Sequence, residues 1–337
     1  MTIRIVVVGA GFWATQMHLP ALAQIPGVEI TGVVATSLES AEKAAAPYGA
    51  RAYTDLEEAV QDADVVDVVA PPDVHLPAVK TAAEHGKHAI CIKPLARSLD
   101  EADEMLAAVK AAGTRLFYAE NVPFIPAVQE AKKLVDAGQI GEVFRVKACE
   151  GIGEPHSDWF FDPVRSGGGA MLDMAVHSLE FCRFFANAPI TSVYADADTF
   201  VWGDRTSAED TAVLTVRFGN GVLGQCEDSW SLAGAMDSRF EVFGTEGRIL
   251  IDNLHRQPMQ VVGTTGWSFP LPVPGLLADG HLTMLTHFTN CIRTGEPSFS
   301  EGSVGRDVLA VVDAATRSLA SGRRENIHHQ SSEGQSS

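Results

Sequence analysis

The sequence predicts a two-part chain: a doubly wound parallel α/β sheet, then an α+β unit with a large, mostly antiparallel, open-faced sheet. Three observations carry this. Up to about residue 121, short β-branched runs alternate with helix-length stretches, the signature of consecutive βαβ units. A glycine-rich turn, Gly9-Ala10-Gly11, follows the first run directly. From about residue 190 to 263 the chain instead reads as strands joined by short turns, which gives antiparallel pairing. At 337 residues the chain is also longer than one hydrophobic core usually serves. The expected boundaries are 1–121 and 122–327, with a polar tail at 328–337.

The elements follow in order. IRIVVV (3–8) is a buried parallel strand, and a helix runs from the glycine turn to about Ile25. VEITGVVA (28–35) is the next strand. Thr36 and Glu39, Thr54 and Glu57, and Ser98 and Glu101 have capping-box spacing and open three helices. ADVVDVVA (63–70) is a strand stopped by Pro71-Pro72, and the helix over 74–86 ends at Gly86. HAICI (88–92) and RLFYA (115–119) complete the strands of the first unit. A helix over about 126–138 leads into the strand EVFRVKACE. GGGAMLDMAVHSLEF (167–181) places a helix start near Ala170 behind three glycines. The strands SVYADADTF, TAVLTVRF, VLGQCEDSW, RFEVFGT, RILI and MQVVG follow, with FGNGV as a hairpin turn. Helices over about 281–293 and 303–320 close the ordered part.

Gly9-Ala10-Gly11-Phe12-Trp13-Ala14 fits G-x-G-x-x-G/A between a strand and a helix. The first glycine makes the tight turn, the second lets backbone approach a pyrophosphate, and Ala14 permits close helix–sheet packing. The first unit therefore reads as a dinucleotide-binding Rossmann domain. An acid at the end of the second strand would hold a ribose 2′-hydroxyl. Here Val34-Ala35-Thr36-Ser37 supplies none. The Thr36 and Ser37 hydroxyls can donate to a 2′-phosphate, which favours NADP over NAD, although no arginine supports it. The same two residues also suit a helix cap.

Composition narrows the function. A net charge of −18 repels phosphate backbones and argues against nucleic acid. Apolar runs are too short to span a bilayer, and no basic segment with an apolar run opens the sequence. A cytoplasmic, membrane-free protein is expected. Cys91, Cys149, Cys182, Cys226 and Cys291 lack paired spacing, which argues for reduced thiols and no zinc cluster. His156, Asp158 and His177 have no metal-ligand spacing, so no metal is expected.

His88-Ala89-Ile90-Cys91-Ile92-Lys93-Pro94-Leu95 ends a strand at the carboxyl edge of the sheet, where such folds bind ligands. Lys93 is there either as a cap on nearby carbonyls or as a functional ammonium. With GAGFWA, APPDVH, GKHAICIKPLA and GGGAMLDMAVH in this order, the chain resembles the glucose–fructose oxidoreductase/inositol dehydrogenase group, written Gfo/Idh/MocA, from the glycine loop to about residue 327. The chain departs from the usual pattern at Ile92, where relatives carry glutamate, at Asp73, usually asparagine, and at Ala175, often glycine. The resemblance implies that His177 transfers the proton, that Asp173 orients it or holds a substrate hydroxyl, and that Lys93 polarises or protonates the reacting oxygen. Asp173 and His177 are i and i+4, one face of a continuous helix. A histidine base and a nearby ammonium suit oxidation of an alcohol. The resemblance also implies a Lys93–Pro94 bond that is often cis, and dimers or tetramers formed through the open sheet face.

Gly9, Gly11, Phe12, Trp13, Ala35, Thr36, Ser37, Pro71, Pro72, His75, Lys93, Pro94 and Glu120 are the expected cofactor contacts. His75 equally suits a helix cap, and Glu120-Asn121 equally suits a domain-junction hydrogen bond. Asn121, His156, Trp159 and Arg165 are the expected substrate contacts, because sugars are held by ring faces and polar groups together. A packed lid is the alternative for residues 155–162. The functional reading is an NAD(P)-dependent oxidoreductase acting on a sugar, polyol or sugar-derived acid. Two rivals are an enzyme that uses bound NAD for transient oxidation in glycoside cleavage or isomerisation, and a non-catalytic dinucleotide-binding regulator.

Overall fold

The computed structural model describes residues 2–254, 259–264, 266–268 and 279–327, and the tail expected at 328–337 lies outside them. The first sheet holds β1 (Ile3–Val8), β2 (Val28–Val34), β3 (Arg51–Tyr53), β4 (Val65–Val68), β5 (His88–Ile92) and β6 (Leu116–Ala119). All are parallel, in the order β3-β2-β1-β4-β5-β6. The order reverses between β1 and β4, and that switch point opens a crevice at the strand ends. Strand alternation sorts the side chains into two cores. Val6, Val8, Val66 and Val68 face one, while Ile3, Ile5, Val7 and Val65 face the other. The short edge strand β3 carries too few residues for a periodic signal, and the sequence reading passes over it.

The helix after the glycine loop departs from a regular α-helix. Residues 14–18 form a π-helical turn that continues into α1 (Leu19–Leu22). Helix α2 (Leu38–Ala45) is capped by Ser37, whose hydroxyl accepts from Ser40 N–H at 3.2 Å, so the capping role expected of Thr36 falls one residue later. Asp55, not Thr54, caps α3 (Leu56–Ala59) by accepting from Glu57 N–H at 2.9 Å. Both corrections have one cause: an extended backbone at the cap residue aims its side chain at the first turn, and Ser37 and Asp55 are the extended residues. After α4 (His75–Glu84), Ser98 caps α5 (Leu99–Ala112) as its spacing predicts.

The second part opens with α6 (Pro126–Asp136) and β7 (Val143–Ile152), followed by α7 (Pro163–Ser166), α8 (Ala170–Asp173) and α9 (Ala175–Ala186). Its sheet is completed by β8 (Ile190–Asp198), β9 (Thr211–Phe218), β10 (Leu223–Ser229), β11 (Met236–Gly244), β12 (Gly247–Asp252), β13 (Met259–Gly263), β14 (Gly266–Ser268) and β15 (Glu325–Asn326). The order is β14-β13-β12-β11-β7-β10-β9-β8-β15, antiparallel except for the β7–β10 pair. One face packs on α9 and on α11 (Gly302–Ser321): Phe181 stacks on Phe240 with ring centroids 4.4 Å apart, and Val311 and Ala315 join the same core. The other face leaves Phe144, Tyr194 and Val213 exposed.

The chain then returns to its beginning. Helix α10 (His281–Thr294), which a linear reading groups with the second part, buries Met284, Leu285 and Phe288 against Ile5, Leu22 and Phe117 of the first. Ser300 carbonyl accepts from Tyr118 N–H at 2.9 Å, extending the β6 edge. The two sheets are thus joined by side chains as well as by backbone. No helix among the described residues is long and apolar enough to cross a membrane, and all five cysteines are free and buried.

Candidate active site

The crevice at the switch point is a cleft of ≈ 690 Å³. Its floor is the glycine loop. Gly9 has φ +124°, and a Cβ there would overlap the Val69 carbonyl, so only glycine fits. Gly11 has no atom within 4 Å of the position a Cβ would take, which leaves its backbone open to a phosphate. From the loop the wall runs past Val34, Ala35, Thr36 and Ser40 to Thr54, then past Ala70, Pro71 and Pro72 to Lys93 and Pro94. This long apolar wall, ending in hydroxyls on one side and an ammonium on the other, fits a dinucleotide laid across the strand ends. The Lys93–Pro94 bond is cis.

The three glycines that open GGGAMLDMAVH let this segment pass tightly between its neighbours. A Cβ on Gly167 would lie 2.7 Å from Arg97 Cβ, and one on Gly169 would overlap the Glu209 carbonyl. Glu209 holds the segment, its carbonyl accepting from Ala170 N–H and its Oε1 from Met171 N–H, each at 2.9 Å. Gly168 and Gly169 thereby form cleft wall.

Asp173 ends α8, nearly buried, and its two oxygens are both taken. Lys93 Nζ donates to Oδ1 at 2.7 Å and the Trp230 indole to Oδ2 at 2.8 Å. Lys93 Nζ also donates to the Asp173 carbonyl at 3.0 Å. Lys93 thus bonds a carbonyl, as the first alternative expects, and its side chain also lines the cleft.

The single helix face expected for Asp173 and His177 is not formed. The helix breaks at Met174, φ −101°, and His177 N–H bonds the Met174 carbonyl three residues back at 3.0 Å. The break turns His177 away from Asp173. Its Nδ1 lies instead 2.8 Å from Oε1 and 2.7 Å from Oε2 of Glu120, which is fully buried at the end of β6. Residue Glu120, expected at the cofactor, is thus behind the imidazole. Neither residue lines the cleft, and the His177 side chain keeps 13% exposure.

The other expected contacts divide between the cleft wall and positions off it. Phe12, Trp13, His156, Trp159 and Arg165 line the cleft. His156 packs on Phe12, Trp13 and Phe160, so the 155–162 loop is a packed aromatic lid that also faces the cavity. Arg165 Nε donates to Asp73 at 3.1 Å, pinning α7 to the turn after β4. Three expected contacts lie off the cleft. His75 is fully buried, Nε2 2.8 Å from the Ala70 carbonyl and Nδ1 3.2 Å from that of Leu95, and ties two cleft turns together from behind. Asn121 donates to the Asp279 carbonyl at 2.6 Å. Ser37 is spent on its helix cap, and Ser40 takes the place on the wall.

Electrostatics follow from this packing. Burial pushes Glu120 upward, but the charge and hydrogen bond of His177, the Val122 N–H and Lys93 outweigh it and hold the carboxyl below its ordinary value. Burial lowers His156, with Asp173 opposing and Lys93 adding to the effect. A second buried pair escapes sequence reasoning: His18 Nδ1 meets Asp67 Oδ2 at 2.8 Å beneath the glycine loop, and the His18 ring packs on His281, which stacks on Trp13. An aspartate inside VVDV is the one available signal, because a buried acid needs a partner.

Comparisons with known proteins give the family. Residues 3–120 match the oxidoreductase family with an NAD-binding Rossmann fold, and residues 128–250 match the GFO/IDH/MocA C-terminal domain. The uncharacterized oxidoreductase YrbE of Bacillus subtilis (strain 168) is 31% identical over 98% of each chain. The same organism's scyllo-inositol 2-dehydrogenase (NADP(+)) IolU is 31% identical over 75% of this chain and 77% of its own. The solved complex of levoglucosan dehydrogenase with NADH superposes with a TM-score of 0.89 at 25% identity, over 98% of this chain and 100% of that one. With the cleft, the glycine loop and matches at both ends, the chain belongs to the GFO/IDH/MocA oxidoreductase family.

Proposed function

We propose that this protein is an NAD(P)-dependent dehydrogenase that oxidises a hydroxyl of a sugar or cyclic polyol. The observation that carries the reading is Lys93, whose Nζ is held 2.7 Å from Asp173 on the wall of the dinucleotide-sized cleft. When bound, the nicotinamide supplies the hydride acceptor. The chain's own groups do the rest. The Lys93 ammonium, fixed by Asp173, whose other oxygen Trp230 holds, faces the place where negative charge develops on the substrate oxygen. His177, which does not line the cleft itself but whose side chain keeps 13% exposure, is the group that accepts the hydroxyl proton. The aromatic lid of His156, Trp159 and Phe160, with Arg165 beside it, excludes water and offers ring faces to sugar C–H surfaces. The named substrates of relatives, an inositol and levoglucosan, are cyclic polyhydroxylated compounds of this kind.

The proposed cofactor preference is NADP. Thr36 and Ser40 line the cleft where β2 ends, and no acid stands there to repel a 2′-phosphate. The expected test is a polyol and sugar panel followed by nicotinamide absorbance, with NAD+ and NADP+ compared by kcat/KM. Lys93→Met and His177→Ala should each lower kcat by roughly 10²- to 10⁴-fold. Cofactor affinity, measured by fluorescence titration, should stay within a few-fold. Full turnover by either variant rules the reading out.

A further inference from the structure

The carboxylate behind His177 has no assigned role, and its geometry is specific. Glu120 is fully buried, both oxygens lie within 2.8 Å of Nδ1, and Val122 N–H donates to Oε1 at 2.9 Å. Asp173 does not serve His177 instead: its hydrogen bonds go to Lys93 and Trp230, and the helix break at Met174 separates the two side chains. An ionised carboxylate only accepts hydrogen bonds, so the imidazole nitrogen facing it must carry a proton. That leaves Nε2 as the nitrogen with a free lone pair.

We infer that Glu120 is the positioning residue of the proton-transfer step: it fixes His177 in the Nδ1–H tautomer and stabilises the imidazolium formed when Nε2 takes the substrate proton. This rests on the dehydrogenase reading. In the step, the substrate O–H bond breaks and its proton forms an N–H bond on Nε2. The freed electron pair becomes the second C–O bond, and a bound oxidised nicotinamide would supply the acceptor for the hydride that the carbon gives up. No net charge is left unmatched, because the imidazolium sits against the Glu120 carboxylate. Burial makes that pairing stronger than it would be in water.

Other charged groups also surround the pair. Lys93 from β5, Tyr118 from β6, Glu150 from β7 and His281 from α10 all act electrostatically on Glu120 or are acted on by it. Those that respond to Glu120 change with its charge, so Glu120→Asp, which keeps the charge, is the control that separates the direct effect on His177.

The test uses the full chain without cofactor as well as the turning-over enzyme. Imidazole ¹⁵N resonances, with His177→Ala used for assignment, should show the Nδ1–H form in wild type. In Glu120→Gln the His177 titration midpoint should fall by about one pH unit or more. The acid limb of kcat/KM for oxidation should move down with it, because the free base survives to lower pH. The kcat of Glu120→Gln should fall roughly 10²-fold, with cofactor affinity retained. Glu120→Asp, which keeps the charge, should keep the midpoint near wild type and recover part of kcat. An unshifted midpoint and limb in an active Glu120→Gln enzyme overturn the inference alone. A midpoint that shifts in Glu120→Gln, alongside a wild-type chain that oxidises no sugar or polyol, overturns its catalytic half together with the dehydrogenase reading.

Discussion

Asp228 shows how one residue can be read from its surroundings. It lies fully inside the second sheet, accepts from Ser178 Oγ at 2.6 Å, and stands opposite Glu150 on the neighbouring strand β7. Burial pushes both carboxyls well above their ordinary values; Asp228 adds to the rise at Glu150, and Glu227 adds to the rise at Asp228. A folded-state value above the unfolded one means that the folded protein binds the proton more tightly. The stabilisation is complete below the ordinary value of 3.8 and is lost as pH rises toward the raised value. Asp228→Asn keeps an oxygen for Ser178 and removes the titration. Its Tm should therefore gain on wild type as pH rises from mildly acidic to mildly basic, read by a thermal-melt series. Parallel curves at all pH values would show that Asp228 carries no such linkage.

At the scale of elements, the site depends on how tightly the 167–169 glycines thread past Arg97 and Glu209. Gly169 is extended in φ, at −100°, so a side chain there is not excluded by its backbone angle. It is excluded by the Glu209 carbonyl, which occupies the Cβ position. Gly169→Ala should force α8 outward, cost about 1–3 kcal/mol in denaturant unfolding, and lower kcat through displacement of Asp173 from Lys93. Wild-type stability with wild-type kcat would show that the segment gives way freely. The same element shows where spacing misleads. Asp173 and His177 have i, i+4 positions in sequence, yet the break at Met174 gives each a different partner.

At the scale of the molecule, the second sheet has one covered and one open face. TAVLTVRF alternates as expected, with Ala212, Leu214, Val216 and Phe218 inward, and Val213 outward beside Tyr194, each 41% exposed. An open sheet face bearing such side chains fits burial against a second copy, as proposed from the resemblance. Val213→Arg with Tyr194→Arg should halve the sedimenting mass while leaving the melting transition of the subunit cooperative. An unchanged mass would place the assembly surface elsewhere. The return of α10 to the first sheet matters equally: it places His281 under Trp13 and closes the core beneath the glycine loop.

What the sequence by itself determined was whatever rests on near neighbours along the chain. Strand runs, the glycine turn, the helix stops and the change from parallel to antiparallel pairing follow from period, φ freedom and turn chemistry, and they were legible. Lys93 and Asp173 were legible as residues of interest and do meet, whereas His177, expected on the same face as Asp173, meets Glu120 instead. Three-residue edge strands such as β3 were not legible, because so few residues carry no period. Only the tertiary structure decided which group meets which. Glu120 and His177 are 57 positions apart, as are Asp173 and Trp230, and Lys93 and Asp173 are 80 apart. No local preference encodes such pairs; they arise because a buried charge or indole N–H takes whichever partner the packed sheets bring within reach.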